Sequence, residues 1–397
     1  IKLVYVVAMV VPLLFVLTLS GSRSSWFYML AMAGLAGLGW YKNRTLRPLL
    51  VYTVALIVGF ALMHLIVQLP FLAGSEGETD TLKRFMNTDT NGSIRLYLWR
   101  EATMIFMQSP WLGVGFGQFA FHHFELLPTL QAKNIVGLYN NAHNVIFQLA
   151  AEAGLAGVLT LFATAGAWLY GVRRVQMSAG HWWGYALLAV STIHSLLEYP
   201  LWYAYFIAVL AFMLGAFDET KFTLALRKTG RISLALILLM SWWTMFQLQA
   251  DYRQLKTVLS MQPASPQDAA DNSKRILDGM VALRGSLLLT PLVEFFISSY
   301  TDISPPQIKE KLSFNNIVMH YIPTGEVTYR QALLLAQDGQ LDAAKKLFEQ
   351  AIWNYPGNGN IHGLLMALAE RDPAHFSALL EFANQKEQEH ANAVRNE

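Results

Sequence analysis

The chain has no cysteine in 397 residues. That excludes disulfides, thiolate metal sites and cysteine nucleophiles, and it leaves the compartment open. Charge is also scarce: 14% of residues are Asp, Glu, Lys or Arg, against roughly 25% in an ordinary soluble domain. The formal net charge is only +2, so there is no bulk electrostatic case for nucleic acid. No HExxH-like spacing occurs. What is plentiful is apolar surface: 54% hydrophobic residues, with 11 Trp, 16 Tyr and 23 Phe. This is the balance of a membrane protein with a soluble part, long enough for two or three domains. The chain opens on Ile1 inside an apolar run, so a fragment or processed form lacking N-terminal segments is expected.

A bilayer core of about 30 Å takes about 20 apolar residues per helix. Seven runs qualify as spans: 3–19, 25–40, 48–69, 155–172, 182–197, 201–217 and 232–248. Pro200 divides the fifth from the sixth, and a tight hairpin is expected there. Lys42, Arg44 and Arg47 lie in one short loop, and Arg173 and Arg174 in a second. Lys221, Arg227, Lys228 and Arg231 lie in a third. Alternating seven spans puts all three loops on one side, the cytoplasm by the positive-inside rule. The turn 20–24, the long loop 70–141, the 198–200 turn and everything after residue 248 then fall on the periplasmic side.

The expected fold is all-α. A polytopic transmembrane bundle occupies 1–249, with periplasmic loop 70–141, and a soluble helical domain occupies 250–397. Within the latter, Ala332, Gly339, Ala344, Phe348, Ala351 and Pro356 sit at tetratricopeptide offsets. One such repeat cannot bury its own apolar face. Stretches 267–283, 361–369 and 375–388 are the expected covers; a generic helical hairpin is the alternative.

Polar residues at a membrane edge are costly and tend to mark function. Arg23, in SGSRSSW, is either a snorkelling side chain or an anion ligand. Arg95 and Arg100 open a stretch whose Ile94, Tyr97, Leu98, Met104, Ile105 and Met107 fit an amphipathic helix on the membrane surface. Five residues apart, the two arginines differ by about 140° around that helix. The glycines of GVGFG permit a close-packed turn; no strand precedes them, which disfavours a dinucleotide fingerprint. In YNNAHNVIFQLAAEAG, a helix would put His143 and Phe147 on one face and Glu152 more than two turns deeper. His143 is either satisfied by a backbone carbonyl or able to take a proton from a hydroxyl. His194 and Glu198 are at i, i+4 and can pair, with Tyr199 adjacent. His122, His123 and Glu125 lack metal-ligand spacing, and His64 reads as a core residue.

These motifs, taken in order, resemble the O-antigen ligase and polymerase superfamily. The residues that carry the resemblance are Arg23 in a Ser-Arg turn, Arg95 followed by Trp99, SPWLGVGFGQF, and His143-Asn144 ahead of Glu152-x-Gly154. It covers roughly residues 1–217. HSLLEYPLWY and the helical C-terminal part resemble its protein-glycosylating branch, the bacterial O-linked oligosaccharyltransferases of pilin-glycosylation type. The resemblance implies an inner-membrane enzyme that moves a preassembled glycan from undecaprenyl diphosphate to Ser or Thr of a periplasmic protein. Arg23 and Arg95 would bind the diphosphate and His143 would orient or deprotonate the acceptor hydroxyl. Asn144 and Glu152 would hold the helix start, and Arg100, His194, Glu198 and Tyr199 would support. No metal or cofactor is called for. The alternatives are a ligase with a lipid A-core acceptor, a polymerase extending the glycan on its carrier, and a membrane-anchored scaffold without catalysis.

Overall fold

A computed structural model describes residues 3–67, 69, 90–130, 135–218, 227–262, 268–286 and 288–395. Residues 70–89 and 131–134 of the long loop, Lys221 and Gln267, which entered the expectations above, lie outside the described set. Sixteen α-helices and no strand occur among the described residues. The chain divides into two compact units. Ile1–Phe116 and Asn141–Phe222 form the first, and Gly117–Asn140 with Thr223–Glu397 the second.

The first unit holds α1 (Leu3–Leu19), α2 (Ser24–Lys42), α3 (Arg47–Val67), α4 (Thr90–Gln108), α6 (Val145–Val172), α7 (Ala179–Leu197) and α8 (Ala204–Ala216). Each expected span in it overlaps one of these helices, with spans 48–69 and 201–217 running past the helix ends. Among the described residues of the whole chain, three helices are long and apolar enough to cross a bilayer. They are α3 with its preceding turn, α6, and Lys228–Leu259 in the second unit; α1 and α8 are apolar but shorter. Spans 25–40 and 182–197 fall outside both groups, because glycines in one and Ser, Thr and His in the other dilute their apolar character. These two helices pack on each other, with Trp182 Nε1 donating to Met32 O at 3.2 Å. Small residues at such a contact let helix backbones approach closely.

Two of the three basic loops meet at one end of this unit. Lys42 Nζ donates to Arg173 O at 3.4 Å and Asn43 Nδ2 to Met177 O at 3.3 Å. Tyr28, fourteen residues back along α2 and so about 21 Å away, meets His194 near the end of α7. The ends of α2 and α7 remote from the basic loops therefore adjoin one another.

α7 stops at Leu197 because Tyr199 precedes a proline, which disfavours helical backbone. Glu198 is extended, at φ −148° and ψ −172°. A short 3₁₀ turn at Pro200–Trp202 reverses the chain into α8. α6 starts on Asn144 and breaks at Gly154, whose φ is +62°.

The second unit holds α5 (Phe119–Leu130), α9 (Lys228–Leu259), α10 (Ala269–Ala282), α11 (Thr290–Ser298), α12 (Ile308–Tyr321), α13 (Gly325–Gln337), α14 (Leu341–Asn354), α15 (Gly359–Arg371) and α16 (Pro373–Arg395). α13 and α14 form a helix-turn-helix pair around Gly339, at φ +78°. Ala332, Ala344, Phe348 and Ala351 are buried, as their spacing requires. The covers differ in part from expectation. α15 and α16 pack on the pair, but so do α12 and α5, through Val318, Met319 and Phe124. α10 instead joins Leu255, Val258, Leu289 and Val293 in a separate core. Phe124 thus carries part of loop 70–141 into the C-terminal core, which periodicity within the C-terminal stretch had no means of showing.

Candidate functional site

A carboxylate ties three segments of the first unit together. Arg95 Nη2, on α4, donates to Glu198 Oε1. His143 Nδ1, just ahead of α6, lies 2.7 Å from Glu198 Oε2. A carboxylate only accepts, so Nδ1 carries the proton, and a neutral ring keeps its lone pair on Nε2. The hydrogen bond from His143 and then the Arg95 guanidinium hold the Glu198 carboxyl below the ordinary carboxylate range, against the opposing effect of burial. Glu198 is therefore an anion at neutral pH, bridging a cation and an imidazole.

The backbone around His143 is built to present it. His143 has φ +51°, a left-handed conformation uncommon outside glycine. Its N–H donates to Asn141 Oδ1 at 3.1 Å. It is therefore not part of a helix, and the helical placement with Phe147 on one face is corrected. Asn144 then caps α6, its Oδ1 accepting from the Ile146 and Phe147 N–H groups. Its Nδ2 donates to Leu196 O at 2.9 Å. One side chain so fixes the start of α6 against the end of α7, two residues from Glu198. Gln148 Oε1 accepts from Ala142 N at 2.7 Å, and Trp99 Nε1 donates to Ala142 O at 3.1 Å. Trp99 also stacks on Phe147, with centroids 5.2 Å apart. Every neighbour of His143 in sequence is tethered.

The SPWLGVGFGQF segment closes on the broken helix. Val114 N donates to Ala151 O and Gly115 N to Glu152 O, both at 3.0 Å. In return, Leu155 N and Ala156 N donate to Pro110 O and Trp111 O. The break at Gly154 frees these groups, and the glycine turn satisfies them.

Over residues 8–162 the chain matches the O-antigen ligase family. Over residues 182–361 it matches the C-terminal region of the virulence factor membrane-bound polymerases. It is 29% identical over 226 residues to a general O-oligosaccharyltransferase of Acinetobacter baylyi, an alignment covering 54% of this chain and 38% of that protein. Both family matches and this relative make the chain similar to the O-antigen ligase and oligosaccharyltransferase branch. The chain spans about two fifths of that relative's length. No solved structure matches it.

The remaining nominated residues divide clearly. Tyr199 sits edge-on to the His143 ring, centroids 5.1 Å apart. His194 does not pair with the Glu198 carboxylate. The i, i+4 link is made by the backbone, Glu198 N to His194 O at 2.8 Å, and the His194 ring shares a 2.8 Å hydrogen bond with Tyr28 OH. The helix ends at Leu197, so Glu198 turns away from the face that a continuing helix would have given it. Tyr28 and His194 border a mostly apolar pocket of about 160 Å³ with Pro200, Phe206 and Leu210. Arg23 heads α2, five residues or about 7.5 Å along the axis from Tyr28. Glu152 is buried at the break, and Arg100 is exposed on α4. The buried stripe of α4 is Leu98, Ala102 and Ile105, while Met107, expected on the apolar face, is exposed.

His122 and His123 lie on α5 in the second unit, with His123 Nε2 3.3 Å from Gly137 O. His64, expected as a core residue, is half-buried, with Nδ1 2.9 Å from Phe60 O. Among the described residues no group of three or more His, Asp or Glu side chains could hold a metal ion. Sequence reasoning ranked Glu198 below the arginines and passed over Tyr28. No local pattern gives the partners of either one, because those lie 55 to 166 residues away.

Proposed function

We propose that the protein is an O-linked oligosaccharyltransferase of the bacterial inner membrane. It transfers a preassembled glycan from undecaprenyl diphosphate to a Ser or Thr hydroxyl of a periplasmic protein such as pilin. The observation that carries this reading is the Glu198 carboxylate joining His143 to Arg95. The acceptor O–H gives its proton to His143 Nε2 while its oxygen attacks the anomeric carbon. The anomeric C–O bond to the diphosphate breaks, and the lipid diphosphate leaves with the electron pair. Arg95, joined by Arg23, stabilises that anion, because guanidinium contacts strengthen as charge develops. Glu198 holds the imidazole in the Nδ1–H tautomer. The small pocket beside Tyr28 suits an isoprene unit, and the α13–α14 hairpin, read as tetratricopeptide-like, suits a protein acceptor. The site on the 1–249 membrane part and the 250–397 domain are each read as periplasmic.

The test is co-expression with a lipid-linked glycan pathway and a candidate pilin, followed by intact-mass analysis of that pilin. A mass increment that disappears with His143→Ala, in a protein that still inserts, is the expected result; general-base loss is worth roughly 10²–10⁴-fold. Full transfer by His143→Ala would remove it as the base. The match to the O-antigen ligase family favours a second reading, transfer to a lipid A-core acceptor, which predicts glycosylated lipid and unmodified pilin in the same cells.

A further inference from the structure

One carboxylate in the first unit is divided between two partners that the reaction uses differently. Glu198 Oε1 accepts from Arg95, and Oε2 faces His143 Nδ1 at 2.7 Å. The Arg95 and Glu198 side chains are 31% and 33% exposed, and that of His143 is 24% exposed. The contact is thus open to a competing anion rather than sealed in a core. A diphosphate carries more charge and more acceptor oxygens than a carboxylate, and guanidinium geometry suits it. The reading above asks Arg95 to hold that diphosphate, yet without donor Arg95 is spent on Glu198.

We infer that Glu198 is a positioning residue through which His143 senses the donor. When a diphosphate takes Arg95, the carboxylate passes undivided to the imidazole, which then accepts a proton more readily. This deepens the proposed function and rests on Arg95 being a diphosphate ligand. The groups around His143 support it. Arg95 faces the site from α4, Glu198 and Tyr199 from the turn after α7, Tyr28 from α2 and His194 from α7. Of these Glu198 alone is anionic at neutral pH. Tyr28 and His194 are engaged with each other, and Tyr199 offers a ring edge. A guanidinium beside Glu198 opposes positive charge on the imidazole; moving that cation onto a diphosphate removes the opposition. Activation of the acceptor hydroxyl therefore follows donor binding.

The experiment uses the full chain in detergent and a farnesyl-diphosphate-linked N-acetylhexosamine as probe. That diester has no group of its own titrating near neutral pH. Binding is measured calorimetrically in two buffers of different ionisation enthalpy, so that proton uptake is read separately from affinity. The wild type is expected to take up a fraction of a proton on binding. Glu198→Gln is expected to bind the probe as tightly or more tightly, to take up no proton, and to transfer glycan about tenfold or more slowly. Glu198→Asp, which keeps the charge, is expected to recover part of the uptake. Binding by the wild type without proton exchange overturns the inference, as does a Glu198→Gln variant whose affinity falls in step with its transfer rate. Should Arg95→Ala bind the probe like wild type, the diphosphate role of Arg95 itself fails. Loss of binding in Arg95→Ala beside absent proton uptake in the wild type would sink only the sensing step.

Discussion

Gly113 and Gly154 meet backbone to backbone. A Cβ on Gly113 would lie 2.2 Å from the Glu152 carbonyl carbon, and one on Gly154 would lie 2.5 Å from the Trp111 carbonyl carbon. Both glycines have positive φ, +71° and +62°. Conformation and space thus both exclude a side chain, and the spacing of SPWLGVG to AEAG reflects one contact.

Alanine at either position should therefore cost more than the roughly 1–2 kcal/mol of a left-handed residue alone, because backbone must shift. Gly117 is the comparison, with φ +77° and open space around its missing Cβ. Thermal unfolding of purified variants checks the order: Gly113→Ala and Gly154→Ala well below Gly117→Ala, which lies modestly below wild type.

Asn144 joins two helices through one amide. Asn144→Ala removes the α6 cap and the tether to Leu196 O, a loss of about 1–2 kcal/mol for the cap with the carbonyl left wanting besides. Asn144→Asp keeps the capping acceptor but has no N–H for Leu196. Melting temperatures are expected in the order wild type, Asp, Ala. Transfer activity should fall in both variants, since Leu196 precedes Glu198 by two residues.

Asn354 anchors α5 from within the C-terminal core. Its Nδ2 donates to Phe124 O at 3.0 Å, and its main-chain carbonyl accepts from Gly137 N at 2.8 Å. Asn354→Ala leaves a buried carbonyl unpaired, which costs about 1–3 kcal/mol. Hydrogen exchange should accelerate across 119–130 more than across α15, as peptide-level mass spectrometry can read out.

His390 is buried against the Trp353 ring, centroids 5.0 Å apart. Burial pushes its proton affinity below the ordinary histidine value. The unfolded chain then binds the proton first as pH falls, so its contribution to stability declines from about pH 6.5 downward and is restored at higher pH. Melting of the wild type at pH 7.5 and 5.5 should show that loss, and His390→Leu should shrink it.

Much of this protein is legible in its residues. Apolar runs of bilayer length mark the spans, because a helix in lipid satisfies its own backbone. Lys42 and Arg173 can be placed on one side by charge counting, and they do meet. His143 and Arg95 stand out as polar groups at a membrane edge. The pairing of His194 with Glu198 is misread, because i, i+4 reasoning assumes that the helix continues past Leu197. The covering of α13 and α14 by α5 is invisible as well, since their contact spans more than 200 residues of chain.

Composition and periodicity thus determined the helical class and the membrane character, both of which rest on local hydrophobic spacing. Tertiary structure alone decided that Glu198 is the residue shared by Arg95 and His143, and that Tyr28 faces His194. Those partnerships depend on which helix ends adjoin, and that is set by long-range packing rather than by any neighbour in the chain.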